Sequence, residues 1–351
     1  MSLRTTMGGV AALSLLAAAT LANPASADAV AEFYKGKTVI IIVAAGPGGN
    51  HTKYSRFMAT YLQKYMPGHP NFVIQNMGGA GGTKAANFLY NSAPKDGTRI
   101  SILLSDTALA SRLRTTGVKY KANEFQYLGG ADRTQTAFVI MKSAGIRTFA
   151  DAMKKQVIMG STGKGSQTYT VPTIVNALFG TKFKTILGYR GMGGIYLALE
   201  RGEVEGFSSV WASIHSLRPQ WIKEKTIDVI AAVSLDKLPD RPDVPLLQDM
   251  TNDPMKKKII RLIAGNGVLG RAWLAPPKVP ADRIAALRMA FSKALADPDA
   301  RAETAKRRMT WNPVPWQDLQ NQVKAIVAAD DSVIQRMRAA IKTGGKARRK
   351  K

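Results

Sequence analysis

The stretch Val39–Gly49, VIIIVAAGPGG, decides how the rest of the chain is interpreted. It begins as an apolar run rich in β-branched residues and ends in the turn Gly46–Gly49. After this turn, apolar residues recur at helical spacing from Tyr54 to Tyr65. The pattern predicts a buried strand, a glycine turn and a helix. In an open α/β sheet such a turn lies at the carboxyl end of a strand, where ligands bind, and the free amides at the helix start favour an anion.

The same order of strand, polar turn and helix runs twice along the chain, first before Thr136 and then from there to Val233. This rhythm predicts an α/β fold with parallel strands and with the loops gathered on one edge of each sheet. Val268–Ala275 is expected to form a strand that returns to the first unit. A closing helix is expected from Trp316 past Val333, because apolar residues recur there at helical spacing.

Four turns that precede helices are rich in glycines or hydroxyl groups. They are Gly46–Gly49, Gly78–Gly82, Gly160–Ser166 and Gly188–Gly194. Each can aim several N–H groups at one point, and each helix start favours an anion by about 0.3–1 kcal/mol. Four converging starts with hydroxyl donors would approach the roughly −8 kcal/mol of micromolar binding. The alternative is four unrelated turns, since glycine turns are common; their number favours a shared anion site.

Composition and charge narrow the classes of function. The chain has 351 residues, enough for two domains, and it has no cysteine, which excludes disulfides, thiol catalysis and thiolate metal sites. Its net charge of +26 attracts anions, nucleic acid or acidic membrane surfaces without specificity. The basic residues are spread along the chain, and the one dense run, Lys346–Lys351, is expected to be a solvated end.

The first 27 residues have the pattern of a secretion signal. Arg4 gives a positive start, Val10–Ala22 is apolar, and Ala25–Ala27 fits a small-residue cleavage site. We therefore predict a mature chain that begins at Asp28, outside the cytoplasm. Removing residues 1–27 deletes one basic and no acidic residue, which leaves a net charge of +25.

Enzyme signatures are missing from the sequence. There is no G-x-S-x-G elbow, no H-E-x-x-H and no G-x-G-x-x-G after the first strand. The turn Gly160–Ser166 superficially resembles a phosphate loop, but Lys164 precedes a glycine instead of Ser or Thr. His51, His69 and His215 lie in different segments without metal-ligand spacing. The sequence predicts no catalytic residue, no metal and no cofactor.

Five segments resemble the Bug-type family, the periplasmic solute receptors of tripartite tricarboxylate transporters. The two longest and most specific are FYKGKTVIIIVAAGPGGNHTKYSRFMATYL and IQNMGGAGGTKAANFLYNSAPKDGT. The others are GSTGKGSQ, GYRGMGGIYLALERGEVEG and LPDRPDVPLL. Together they fall within residues 33–250, and the likeness is weaker from there to the end.

The resemblance implies a two-lobed periplasmic binding protein fold with type II topology and a ligand cleft between the lobes. We expect lobe 1 to contain residues 28–135 and 246–351 and lobe 2 to contain residues 136–245, with hinges near Ala131–Thr136 and Val233–Asp240. The implied ligand is a small carboxylate, either a di- or tricarboxylate or an aromatic acid. The implied partners are transient membrane transporter subunits, with no specific nucleic acid, and the receptor is expected to be a periplasmic monomer.

The family's loops assign most of the candidate ligand-binding residues, in both lobes. In the first lobe these loops follow the first two strands, and in the second they include the family's Y-[RK]-G turn. Ser105 and Ser208 are further candidates that no family motif assigns. The candidates are Pro47, Gly48, Gly49, Gly79, Ala80, Gly81, Gly82, Ser105, Ser161, Thr162, Gly163, Gly165, Ser166, Tyr189, Arg190, Gly191 and Ser208.

Two departures from the family pattern bear on the ligand. After the first loop the family commonly has an acid, whereas this chain has Asn50–Arg56 (NHTKYSR), which suits an anionic ligand. The bulky segment Gly206–Trp211 (GFSSVW) suggests an aromatic or apolar moiety on the ligand. Two other functions stay open at this point: an enzyme on the same scaffold, recognised by turnover, and a basic surface protein for polyanions, recognised by steep salt dependence.

Overall fold

The computed structural model describes residues 24–346. All but the last four residues of the predicted secretion signal, and the basic tail beyond Lys346, lie outside the described residues. Within them, the chain forms two mixed α/β lobes, each built on a five-stranded sheet. None of the helices in this part of the chain has the length and apolar character needed to cross a membrane.

Ten strands form the two sheets of the described chain. They are β1 (Thr38–Val43), β2 (Asn71–Asn76), β3 (Arg99–Ile102), β4 (Gln126–Gly130), β5 (Thr136–Met141), β6 (Val157–Ser161), β7 (Phe183–Leu187), β8 (Gly206–Val210), β9 (Ile227–Val233) and β10 (Ala272–Ala275). The first sheet has the order β2-β1-β3-β10-β4 and the second has the order β7-β6-β8-β5-β9.

The prediction of parallel strands holds for three strands in each sheet. β1 pairs in parallel with β2 and β3, and β6 pairs in parallel with β7 and β8. In contrast, β10 is antiparallel to β3 and β4, and β5 is antiparallel to β8 and β9. The expectation of uniformly parallel sheets is wrong for these strands, because β5 and β10 enter from the other sheet and not through a crossover helix on the same sheet.

Fourteen α-helices cover the sheets in the described chain. They are α1 (Pro24–Tyr34), α2 (Asn50–Tyr65), α3 (Thr83–Asn91), α4 (Thr107–Leu113), α5 (Phe149–Lys154), α6 (Gln167–Phe179), α7 (Met192–Glu200), α8 (Ala212–Leu217), α9 (Pro219–Lys223), α10 (Pro254–Gly265), α11 (Ala281–Ala296), α12 (Pro298–Lys306), α13 (Trp316–Val327) and α14 (Asp331–Lys346). The single closing helix predicted from Trp316 is therefore two helices. The break lies at residues 328–330, where the Asp330 carboxylate accepts from the Ser332 backbone amide and begins a new helix.

The buried strand β1 contributes to two apolar cores, which explains its unbroken hydrophobic sequence. Ile41 packs with α2 and α11 on one face of the first sheet, whereas Ile42 packs on the other face. The core on α2 and α11 centres on Trp273, whose ring lies 5.6 Å from that of Phe291. Because β1 lies between β2 and β3, the turn at Gly46–Gly49 stands beside the segments that follow those two strands.

Candidate ligand-binding cleft

A cavity of about 610 Å³ lies between the two lobes. Its first-lobe wall comes from the segments after β1, β2 and β3, and its second-lobe wall comes from the segments after β6, β7 and β8. Each of the four predicted turns contributes residues to the lining of the cavity. These segments meet because the carboxyl ends of parallel strands share one edge of a sheet, and the two edges face each other.

Two glycine contacts bring the lobes together beside the cavity. A Cβ atom built at Gly46 would lie 2.3 Å from the backbone oxygen of Arg190. A Cβ atom built at Gly81, where φ is +63°, would lie 2.4 Å from the carbonyl carbon of Gly165. Because real Cβ atoms do not approach this closely, glycine is required at both positions in this arrangement of the lobes. The described structure is therefore a closed form.

Twelve of the candidate residues line the cavity. They are Pro47, Gly49, Gly79, Ala80, Gly81, Gly82, Ser105, Thr162, Ser166, Tyr189, Arg190 and Gly191. Arg190 is an exposed residue of this wall, in the turn before α7.

The other five candidates do not line the cavity. Gly48 faces Gly193 of the opposite lobe, and Gly163 and Gly165 face the turn at Ala80 and Gly81.

Ser161 and Ser208 are fully buried in their strands. In place of Ser208, its neighbour Ser209 lines the cavity, because successive side chains of a strand point to opposite faces.

The hydroxyl groups of the second-lobe loop are held in one network. The Thr162 hydroxyl donates to Ser166 Oγ at 2.8 Å, and Ser166 Oγ lies 2.5 Å from Thr168 Oγ1. Thr168 also accepts from the backbone amide of Thr162 at 3.1 Å. This network holds the hydroxyl groups at the start of α6 in fixed positions against the cavity, and such preorganisation reduces the entropic cost of binding.

Arg271 is a cavity residue that sequence reasoning did not identify. It stands just before β10, far from the glycine turns, and only 3% of it is exposed. One terminal nitrogen donates to the Gly270 carbonyl at 2.9 Å, and the other donates to Ser213 Oγ at 3.4 Å. The available signal was a lone arginine in the apolar run VLGRAWLAPP. Asn76, Ser209 and Ser213 were missed as well, since each is an ordinary polar residue in sequence.

Burial shifts the pKa values of two further residues that line the cavity, Asp106 and His51. Burial raises the pKa of the Asp106 carboxyl to about 7, although backbone amides of Asp106 and Gln167 and the charge of Arg114 favour its ionised form. Burial, helped by the positive charge of Arg271, lowers the pKa of His51 to about 3. His51 is therefore neutral at ordinary pH, and Asp106 is largely protonated below neutrality.

Two α/β lobes that close on a cavity lined with amides, hydroxyls and arginine define a solute-binding protein of the periplasmic type. Residues 55–339 match the sequence model of the tripartite tricarboxylate transporter family receptor. The chain belongs to this receptor family, as its sequence segments predicted. No curated protein sequence shows a significant match to the chain.

Solved structures of periplasmic binding proteins share the fold. The periplasmic binding protein BugD has a TM-score of 0.69 at 18% identity, over 89% of this chain and 99% of that one. The malate-bound MatC protein of Rhodopseudomonas palustris has a TM-score of 0.68 at 19% identity, over 85% of this chain and 99% of that one. An adipate-bound protein of R. palustris has a TM-score of 0.67 at 18% identity, over 86% of this chain and 97% of that one. At these identities the likeness establishes the two-lobed fold.

Proposed function

We propose that the protein is a periplasmic receptor that captures a small carboxylate between its lobes and delivers it to a tripartite tricarboxylate-type membrane transporter. The observation that carries the proposal is the arrangement of four glycine- or hydroxyl-rich turns around one interlobe cavity. Binding a ligand there satisfies donors of both lobes only in the closed form, so the ligand favours closure. The receptor acts as a monomer, with lobes of residues 28–135 plus 246–351 and 136–245.

The charge of the cavity supports an anionic ligand. Arg190 and Arg271 line it, and Asp106, the one acidic residue among the described lining residues, has a raised pKa. Two of the three structural relatives described above hold malate and adipate, which are both aliphatic dicarboxylates. We therefore propose a small aliphatic dicarboxylate, with water in the remaining volume.

The described lining residues favour an aliphatic over an aromatic acid. Tyr189 is the single Phe, Tyr or Trp among them. Phe207 is buried in the core of the second lobe, and Trp211 lines a different cavity on the hinge side. The two aromatic residues of the segment Gly206–Trp211 are thus directed away from the cavity, whereas its Val210 lines it.

A carboxylate screen tests the proposed function. The exported protein is mixed with mono-, di- and tricarboxylates and aromatic acids, its melting temperature is recorded, and each compound that raises it is titrated by calorimetry. At one hundred times its Kd, a ligand adds about 2.7 kcal/mol to the free energy of unfolding. We expect an aliphatic dicarboxylate to bind once per chain with little dependence on salt.

Two results would overturn the proposal when DNA and heparin are added to the screen and the bound acids are recovered and analysed. Binding of DNA or heparin but of no carboxylate, falling steeply with salt, would favour the polyanion-binding function. Conversion of a bound acid to a new product would favour an enzyme on this scaffold.

A further inference from the structure

The net charge of +26 is far larger than the interlobe cavity uses. Among the described residues that line this cavity, Arg190 and Arg271 are the only arginines, and no lysine is present. A charge of this size attracts extended anionic surfaces. Where the fold places its unpaired cations therefore indicates which side of the molecule such a surface would meet.

Helices α10 and α14 pack on each other and carry a set of cations at the protein surface. The cations among their described side chains are Lys256, Lys257, Lys258, Arg261, Arg336, Arg338 and Lys342. No carboxylate of the described chain lies within 4.0 Å of their charged nitrogens. Of the acids at these helices, Asp331 pairs with Arg112, whereas Asp253 and Asp330 accept from backbone amides at the helix starts. The two helices thus form a surface of net positive charge.

This positive surface continues onto the second lobe through aromatic contacts. Lys256 Nζ lies 5.5 Å from the centre of the Phe179 ring, and that ring meets Phe149 of α5 at 5.4 Å. At the end of α5, the carbonyl of Lys154 accepts from Lys182 Nζ at 2.8 Å, and both lysines are exposed. We call the surface formed by α10, α14, Lys154 and Lys182 the basic face.

The basic face also borders a second cavity, of about 550 Å³. Arg338 and Lys342 of α14 line it together with Arg114 of the first lobe and Lys164 of the second. Arg114 lies against Gly165, so this cavity straddles the line along which the lobes close. The positive charge therefore extends to the seam between the lobes.

The contact that the basic face can make is electrostatic. The apolar sides of α10 and α14, including Ile259, Ile263, Ile334 and Met337, are buried in the protein core. Neither helix therefore has an apolar side free to enter a bilayer. A surface that binds here meets lysine and arginine heads, and its attraction is screened by salt.

We propose that the basic face docks the protein on an anionic lipid bilayer. Its cations are spread over several elements of both lobes, which suits a surface with many negative groups and not a single small anion. Receptors of this family act in the periplasm, where a bilayer is an extended surface that can carry anionic headgroups. Docking on lipid goes beyond the capture of a carboxylate and does not require the interlobe cavity.

Cosedimentation with lipid vesicles tests the docking. The exported protein is mixed with vesicles of phosphatidylcholine alone or of equal parts phosphatidylcholine and phosphatidylglycerol, in about 0.1 M salt, where the Debye length is about 10 Å. We expect binding to the vesicles that contain phosphatidylglycerol and none to phosphatidylcholine alone. Raising the salt to about 1 M, where the Debye length is about 3 Å, should release the protein.

Two triple variants that remove the same charge locate the contact. The first combines Lys257→Gln, Lys258→Gln and Arg261→Gln on α10. Each cation near an anionic bilayer contributes about fivefold in affinity, so this variant should bind about a hundredfold more weakly.

The matched control combines Lys293→Gln, Arg301→Gln and Lys306→Gln. These exposed cations also lack an ion pair in the described chain, and they lie on α11 and α12, which pack on the other apolar core. Its vesicle affinity should stay within about threefold of wild type, because charges away from the contact are screened.

Circular dichroism and carboxylate calorimetry check that both variants fold and keep the interlobe site. Equal losses of vesicle affinity in the two variants would overturn the assignment to the basic face. A wild-type protein that ignores phosphatidylglycerol would overturn docking on lipid, and binding of heparin in its place would assign the charge to another polyanion. Each of these results leaves carboxylate capture untouched, so the failure of this inference is distinguishable from the failure of the proposed function.

Discussion

Replacing Gly46 with alanine adds one methyl group to the contact between the lobes. The new Cβ would lie 2.3 Å from the Arg190 backbone oxygen, where ordinary contact begins at 3.4 Å. The lobes must therefore stay 1.1 Å further apart at this point. Gly46 does not have a positive φ, and no other residue lies within 4 Å of the added atom, so the open form and the fold tolerate alanine.

The expected cost of Gly46→Ala follows from the interlobe contacts that lengthen. Asn50 Nδ2 of the first lobe donates to Ser216 Oγ of the second at 2.9 Å. A further separation of 1.1 Å takes this pair to 4.0 Å, beyond hydrogen-bond distance. With net values of about 0.5–1.5 kcal/mol per hydrogen bond, losing one or two destabilises the closed form by about 0.5–3 kcal/mol. The affinity for a ligand held by both lobes falls about 2- to 150-fold.

Calorimetry on Gly46→Ala and Gly48→Ala provides the assay and its matched control. A Cβ at Gly48 would lie 3.9 Å from the nearest atom across the cleft, the Cα of Gly193, which is ordinary contact. Gly48→Ala should therefore bind like wild type, and both variants should melt like wild type without ligand. Equal affinities of the two variants would refute the argument that the lobes meet at Gly46.

Three further predictions address titration, charge and processing. The native pKa of Asp106 is raised from 3.8 to about 7, so its protonated form stabilises the folded state below pH 7 and this contribution is lost as the pH rises through 7. Lowering the pH from 7.5 to 5.5 should stabilise wild type relative to Asp106→Asn by about 2 kcal/mol in denaturant melts. Equal changes in the free energy of unfolding of the two proteins would contradict the raised pKa of Asp106. Arg190→Ala should weaken carboxylate binding by a few fold, because Arg190 lines the cavity but is exposed; unchanged affinity in calorimetry would count against its role. Intact-mass spectrometry of the exported protein should give a chain beginning at Asp28, and a retained Met1 would rule out the predicted cleavage.

Local signals in the sequence were sufficient for most elements of the fold. The apolar run of β1, the glycine turn and the spacing from Tyr54 to Leu62 predicted a strand and a helix, and these residues are buried as expected. The predicted strand at Val268–Ala275 was too long, since Asn266–Leu269 forms a 3₁₀ helix and β10 begins at Ala272. The direction of β10 was not predictable from the sequence. The chain forms the whole second sheet between β4 and β10, and the direction of β10 depends on which strands of the first sheet it then pairs with.

The cavity was predictable only where backbone turns build it. The glycine turns can be recognised in the sequence, because a tight turn or a close approach requires glycine at positions such as Gly46 and Gly81. Side chains that reach the cavity from other segments have no comparable signal in the sequence. Arg271 arrives through β10, and the choice of Ser209 over Ser208 depends on which face of β8 meets the cleft. Both facts are set by tertiary packing.

Hydrogen–deuterium exchange with and without the carboxylate found in the screen tests most directly whether a ligand is held between the lobes. Exchange is followed in peptides that cover Gly46–Gly49 of the first lobe and Gly188–Gly194 of the second. A ligand gripped by both lobes should slow exchange in both peptides together, at the same ligand concentration. Protection confined to one lobe, or to peptides away from the cavity, would contradict capture between the lobes.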